Sequence, residues 1–372
     1  MGNILDYIDW RGDLTFEQAP FNRVDNLILA CLSYLDLDEI REVQGKKQTE
    51  LKDLWRLFEE KNADKLEKAE TSFIRNIPAL LEKMAGSGRF GTCLAGNYVN
   101  EILATESQQF AALTIRLPDG TTYLSFRGTD DTIVGWKEDF KLGSGIVSSQ
   151  KKALEYMYAT GRNSSSMLRL GGHSKGGNLA MYCAMCCDRE TRSRILAVYD
   201  NDGPGFTEDF FQGKDTEELM PKILRIIPEA SVIGMLLAHI KEPVIVSSTQ
   251  RGILQHDAFT WEILGPDFIT KNELTRRAAA SDRTLHKWID NMDREQRELL
   301  TEELFSVLEA PGVRTISGLQ EGGLKSLGAM IRKLDKMEPE SKAMIQELIT
   351  GLLGSWLELL PLPELDKKRF LP

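Results

Sequence analysis

The sequence predicts an α/β fold: a mostly parallel sheet flanked by helices, with helical additions at both ends. Three observations carry this. Short β-rich runs alternate with helical text between about Gln109 and Ser248, the pattern of a sheet whose crossover connections are helices. Within that region, Leu168 to Ala180 reads L-R-L-G-G-H-S-K-G-G-N-L-A, an apolar strand passing through glycines directly into a helix. Outside it, both flanks are charged, Leu-rich helical text. The expected organisation is a helical N-terminal segment over 1–85 packing on the core, an α/β core over 86–270, and a helical region over 271–372 that is a candidate cap.

From about Thr15 to Glu82, apolar residues recur three and four apart, as in Leu51, Leu54, Trp55 and Phe58, which is helical spacing. A glycine-rich break at Gly86 to Gly91 follows. Gln109 to Arg116 and Thr122 to Phe126 are alternating runs on either side of Pro118-Asp119-Gly120, a β-hairpin signature. Next come a strand at Met167 to Leu170, a helix at Asn178 to Cys187 and a strand at Ile195 to Tyr199. A helix, a strand at Lys222 to Ile227, a further helix and a strand at Pro243 to Ser248 complete the alternation. Beyond Trp261 the text is charged and helical, with turns at Pro311-Gly312 and Glu321-Gly322-Gly323.

At 372 residues and 42% hydrophobic composition, the chain can bury a full core. Its 56 acidic against 46 basic residues give a net charge of −10, which repels phosphate backbones and excludes nucleic acid as an expected partner. The cysteines, Cys31, Cys93, Cys183, Cys186 and Cys187, are odd in number and three crowd one helix, so they read as reduced thiols. Asp6, Asp9 and Arg11 stand where a secretory signal would carry a basic start and an apolar centre, and a cytoplasmic location is expected. The longest apolar stretch, Met344 to Leu362, is broken by Glu347 and Glu358. It falls short of a spanning helix; its simplest reading is a packing helix, and the alternative is a surface for peripheral lipid contact or a cover over a cleft.

The chemistry centres on G-H-S-K-G. A sharp strand-to-helix turn needs small residues at Gly172 and Gly176, where neighbouring backbone comes close, and it leaves the hydroxyl of Ser174 protruding as a candidate nucleophile. A serine hydroxyl needs a base within hydrogen-bond reach. Of four histidines, His173 lies inside the turn and is expected to point away, His239 falls in an apolar helical stretch and His286 in the charged C-terminal region. His256 follows a strand in a loop reading Q-H-D-A-F-T-W, downstream of the serine, and is the candidate base. For the acid that orients it, Asp202 and Asp200 in D-N-D-G-P-G-F compete with Glu229 at the end of the next strand. Asp202 is favoured, because the Gly203-Pro204-Gly205 turn would hold it still.

An oxyanion hole needs two donors. The Lys175 amide, directly after the serine, offers one, and Thr129 in S-F-R-G-T-D offers the other through its amide and its hydroxyl. Arg127 and Asp130 read as an ion pair tying that loop down. Strand, turn and helix around Ser174 together specify the α/β-hydrolase fold.

F-R-G-T, G-H-S-K-G-G and a histidine five residues ahead of a tryptophan resemble the core of the class-three lipases. That resemblance implies an oxyanion donor at Thr129, a nucleophile at Ser174 and a base at His256. N-I-L-D-Y-I-D-W-R-G-D-L-T-F, G-W-K-E-D-F, D-G-P-G-F and S-V-I-G-M-L-L resemble a bacterial lipase-like (Mbeg-like) family over roughly residues 3 to 262. Two departures stand out: N-D-G-P-G-F replaces the usual G-S-P-R-V-G loop, and Ser231 lies near the place of the expected aspartate.

The remaining signals are weaker. The C-x-x-C at Cys183 and Cys186 lacks a second ligand pair and reads as a buried helix face. Gly86, Gly88 and Gly91 match G-x-G-x-x-G, but without the preceding strand a dinucleotide site requires. No cofactor and no metal are expected. The expected activity is a serine esterase or lipase acting on a small ester or lipid, with Met235-Leu236-Leu237 lining a pocket or forming a lid. The alternatives are an amidase or thioesterase with the same residues, or a non-catalytic scaffold that binds a partner.

Overall fold

The computed structural model describes residues 1–45, 47–66, 73–103, 108–129, 132–161, 165–275, 293–339, 341–346 and 348–350. Asp130, His286 and the end of the apolar tail lie outside the described residues. The N-terminal segment folds as helices α1 (Ile4–Arg11), α2 (Arg23–Leu32), α3 (Leu51–Leu66) and α4 (Ile77–Gly86). The first two begin with capping boxes, Asn3 with Asp6 and Asn22 with Asp25, in which side chains satisfy amides that have no acceptor within the helix.

The strands are β1 (Gln48–Glu50), β2 (Leu94–Leu103), β3 (Gln108–Arg116), β4 (Thr122–Phe126), β5 (Leu168–His173), β6 (Ile195–Asn201), β7 (Ile223–Pro228), β8 (Val244–Val246), β9 (Ile263–Leu264), β10 (Asp267–Phe268) and β11 (Thr270–Lys271). Nine of them form one sheet in the order β1-β2-β3-β4-β5-β6-β7-β8-β11. Strands β4 to β8 are parallel, β1 to β4 pair antiparallel, and β11 closes the other edge antiparallel to β8. The sheet is therefore mixed, with a parallel centre, and not mostly parallel throughout. The expected hairpin is β3–β4, turning at Gly120 with φ 82°. Strand β2 carries no sequence signal because it is bulged between Gly96 and Val99, with Asn97 at φ 50°, so its side-chain alternation breaks midway.

Between the strands lie α5 (Ile133–Lys141), α6 (Ser148–Gly161), α7 (Lys175–Cys186), α8 (Arg189–Ser193) and α9 (Glu208–Phe211); α10 (Arg294–Leu308), α11 (Ile316–Glu321) and α12 (Gly323–Leu334) follow. The helix expected ahead of Pro243 is absent. Residues Ile233–Met235 make a single 3-10 turn, and Ala238 then exchanges backbone hydrogen bonds with Phe206, so His239 sits in extended chain.

Alternate residues of each strand serve opposite layers. On one face Ile115, Tyr123 and Val246 pack under α1, α2 and α4. On the other, Leu124, Phe126 and Val198 meet α6 and α7. A third apolar cluster joins α10 to α12 with Ile133 of α5 and Ile233. All five cysteines are free thiols, and no helix among the described residues is long and apolar enough to cross a membrane.

Arg89, inside the glycine-rich stretch, is fully buried. Its guanidinium pairs with Asp25 at 2.5 and 2.7 Å, donates to the carbonyls of Leu14, Thr15, Ala19 and Pro20, and lies over the Phe16 ring. Replacing it leaves a buried carboxylate and several carbonyls without a partner. R89M should lower unfolding free energy by about 3–5 kcal/mol in urea titration, with part regained in R89M/D25N, where no buried charge remains.

Candidate active site

Strand β5 ends at His173 and α7 begins at Lys175, so Ser174 alone makes the turn, at φ 57° and ψ −134°. Its amide donates to the Asn201 carbonyl (2.9 Å) and its carbonyl accepts from Gly177 (2.8 Å). A methyl group at Gly176 would collide with the Phe126 carbonyl, so only glycine allows α7 to start this close to β4. The R-G-T loop passes directly beside the serine: a methyl group on Gly128 would lie 3.0 Å from the Ser174 Cβ.

Asp202 follows β6 at φ 55°, its amide bound to the Ile226 carbonyl. Its Oδ1 accepts from the Ser231 hydroxyl (2.5 Å) and the Gly234 amide (3.2 Å), and its Oδ2 accepts from His256 Nδ1 at 2.6 Å. With the carboxylate as acceptor, Nδ1 carries the proton and a neutral ring leaves Nε2 as a free lone pair.

The other two candidate acids are held elsewhere. Asp200 turns the opposite way: Oδ1 accepts from the Gly203 amide (2.9 Å) and Oδ2 lies 4.0 Å from His239 Nδ1. Burial pushes its carboxyl up to about 7, with Arg225 opposing. Glu229 faces Lys271 at 3.8 Å, while the amide of the next residue, Ala230, is held by the Gln255 side chain (2.7 Å).

His173 differs from its expectation. Its ring packs against that of His256, with centroids 4.6 Å apart. Nε2 faces the His256 carbonyl at 2.7 Å and must therefore donate, leaving Nδ1 to accept from the Tyr34 hydroxyl at 3.2 Å. Burial, with the adjacent His256, lowers its pKa to about 3, so it stays neutral. Trp261, fully buried, donates from its indole to the Gln255 carbonyl (2.8 Å). The loop is thus pinned on both sides of His256.

The Thr129 hydroxyl donates to Asp139 Oδ1 at 2.8 Å; it is engaged within the protein, and the amide is the donor left to this residue. The amides of Lys175 and the next residue belong to the first turn of α7, where helix geometry supplies no acceptor. Lys175 Nζ, fully buried, donates to Glu138 Oε2 at 2.8 Å and lies 3.7 Å from Asp139 Oδ1. Burial raises the Asp139 carboxyl to about 6, with Lys175 opposing. Sequence reasoning missed both acids, although G-W-K-E-D-F contains them. Arg127 bonds Asn100 (2.9 Å). Ile133 and Ile233, close in sequence to Thr129 and Gly234, carry the apolar cluster up to this region, with Leu236 packed against it. Among the described residues, no group of His, Cys, Asp or Glu is arranged to hold a metal ion.

A family model of Mbeg1-like proteins matches residues 84–306. The chain belongs to the Mbeg1-like family. The match takes in every candidate residue above and extends to α10, whereas the likeness read from the sequence begins near residue 3. Among solved structures, the crystal structure of M37 lipase is similar at 12% identity and a TM-score of 0.37, with 91% of this chain and 100% of that chain covered. No curated protein matches the chain.

The environment of Asp200 in this Mbeg1-like protein makes a pH prediction. Its carboxyl rises from 3.8 to about 7 on folding, so between those values the folded chain binds a proton that the unfolded chain does not, and stability falls as pH rises. D200N keeps an acceptor for Gly203 and removes the titration. Its stability relative to wild type should increase from pH 4 to pH 7, by at most about 1.4 kcal/mol per pH unit. Urea unfolding of both proteins at several pH values reads this directly, and a pH-independent difference would contradict it.

Proposed function

We propose that this chain is a lipase-like serine hydrolase that cleaves a carboxylic ester through an acyl-enzyme on Ser174. One observation carries the reading: the 2.6 Å hydrogen bond from His256 Nδ1 to Asp202, made by a histidine whose loop is pinned against the turn that holds Ser174. A carboxylate that accepts from a hydroxyl, an amide and an imidazole at once is fixed in direction and suits an orienting role.

In the reaction, His256 Nε2 takes the Ser174 proton as Oγ bonds to the ester carbon. The carbonyl electron pair moves to oxygen, and the amides of Thr129 and Lys175 stabilise that oxyanion. Collapse of the tetrahedral intermediate breaks the bond to the alcohol, which leaves with the proton held on His256. Water repeats the sequence, releasing the acid and restoring Ser174. Asp202, bonded to Nδ1, stabilises the imidazolium. The nucleophile, the base and the oxyanion donors all come from the chain and water supplies the remaining protons, so the mechanism calls for no cofactor. The net charge of −10 disfavours an anionic substrate.

A fluorophosphonate probe should label Ser174 in the native protein and not after heating. S174A should abolish hydrolysis of short p-nitrophenyl esters while melting as wild type does, and D202N should lower kcat by about four orders of magnitude. A native protein that neither reacts with the probe nor turns over an ester would leave the non-catalytic scaffold as the reading.

A further inference from the structure

The side chain of Lys175 has no part in the mechanism above, yet it is fully buried beside the reacting serine. Desolvating an ammonium group is costly, and an apolar side chain of similar size would serve stability at least as well. What distinguishes this lysine is where its partners lead. Glu138 and Asp139 are consecutive on α5. Glu138 Oε2 accepts from Lys175 Nζ (2.8 Å) and from the Gln109 amide at the start of β3 (3.2 Å). Asp139 accepts from the Thr129 hydroxyl (2.8 Å) and lies 3.7 Å from Lys175 Nζ. A path of polar contacts therefore runs from one oxyanion residue through its own side chain to α5, and on to the other oxyanion residue through that residue's side chain.

We infer that Lys175 and Glu138 form a positioning strut for the oxyanion hole, setting the separation of the Lys175 and Thr129 amides. The inference rests on the hydrolase reading above. Two donors must reach one developing charge at about 2.7–3.1 Å, and a misplacement of about 1 Å costs on the order of 100-fold in rate. The two amides lie on different elements, α7 and the loop after β4, so their spacing needs a link that neither provides alone. An ion pair that also accepts from β3 supplies fixed directions which apolar packing would not.

The test compares K175M, E138A, E138Q and the charge-free double variant K175M/E138Q with wild type, using an ester and its thiono counterpart. Sulfur accepts hydrogen bonds poorly, so a damaged oxyanion hole slows the oxygen ester more than the thiono ester, whereas general loosening slows both. K175M and E138A should lose about 10- to 100-fold in kcat with KM changed less than about threefold, and the oxygen-to-thiono rate ratio should fall. E138Q, which keeps an acceptor for Lys175 and Gln109, should recover most of the E138A loss. If the single variants fail to fold, the double variant, with no unpaired buried charge from this pair, carries the test and should show the same lowered ratio. Folded variants with wild-type kcat and an unchanged ratio would overturn the strut while leaving the hydrolase reading intact. Absence of fluorophosphonate labelling in wild type would overturn both.

Discussion

The backbone of Ser174 is the constraint on which the site depends. A non-glycine residue at φ 57° and ψ −134° costs roughly 1–3 kcal/mol and persists only where its surroundings leave no alternative. Here the hydrogen bonds to Asn201 and Gly177 and the glycine contact with β4 supply that surrounding. The parallel sheet repeats the device one strand away. Gly172 pairs with Asp200 and His173 with Asn201, so the next residues along, Ser174 and Asp202, emerge side by side at the carboxyl edge, both with positive φ. That edge is where α/β sheets present their ligands. The separation of Ser174 and Asp202 is thus a property of strand register before any side chain is considered.

His256 comes from a loop, and loops need other means of fixing. Its ring is held by Asp202, its carbonyl by His173 and its preceding carbonyl by Trp261. Two histidines in contact can play different parts because their surroundings differ. His173 is buried between the Tyr34 hydroxyl and a carbonyl, an arrangement that fixes one neutral tautomer. His256 has one nitrogen committed to a carboxylate, which leaves the lone pair on the other. The D-N-D sequence divides in the same way: Asp200, still in β6, faces His239, and Asp202, at positive φ just beyond the strand, faces His256.

The strand-to-helix turn was legible because it is local: the residue pattern changes period within a few positions, and glycines mark the close approaches. The rigidity of D-N-D-G-P-G could likewise be read from residue types alone. What was not legible depends on contacts distant in sequence. Glu138 and Lys175 lie 37 residues apart, and nothing in either neighbourhood signals the other. Strand β2 was hidden by its bulge, and the extended run through His239 by the return pairing of Ala238 with Phe206. Of the antiparallel pairings only the β3–β4 hairpin was legible, through its Pro-Asp-Gly turn; β1, β2 and β11 were not, since alternation of strand and helix reports crossovers and is silent about short or bulged edge strands.

Buried charge then shows how the N-terminal segment relates to the site. The Arg89–Asp25 pair gathers the chain from Leu14 to Pro20 against the start of α2. Helix α2 in turn lies under the sheet, where the Asn26 side chain bonds that of Asn201 at 2.8 Å, the residue between the two aspartates, and Tyr34 just beyond the helix reaches His173. These contacts fix the undersides of the turns that carry Asp202 and Ser174. The family match begins only at Met84, yet the polar groups supporting those turns come from residues before it. The N-terminal helices therefore act as part of the floor of the site, and a substitution at Asn26 or Tyr34 acts on Asp202 and His256 through the backbone that carries them.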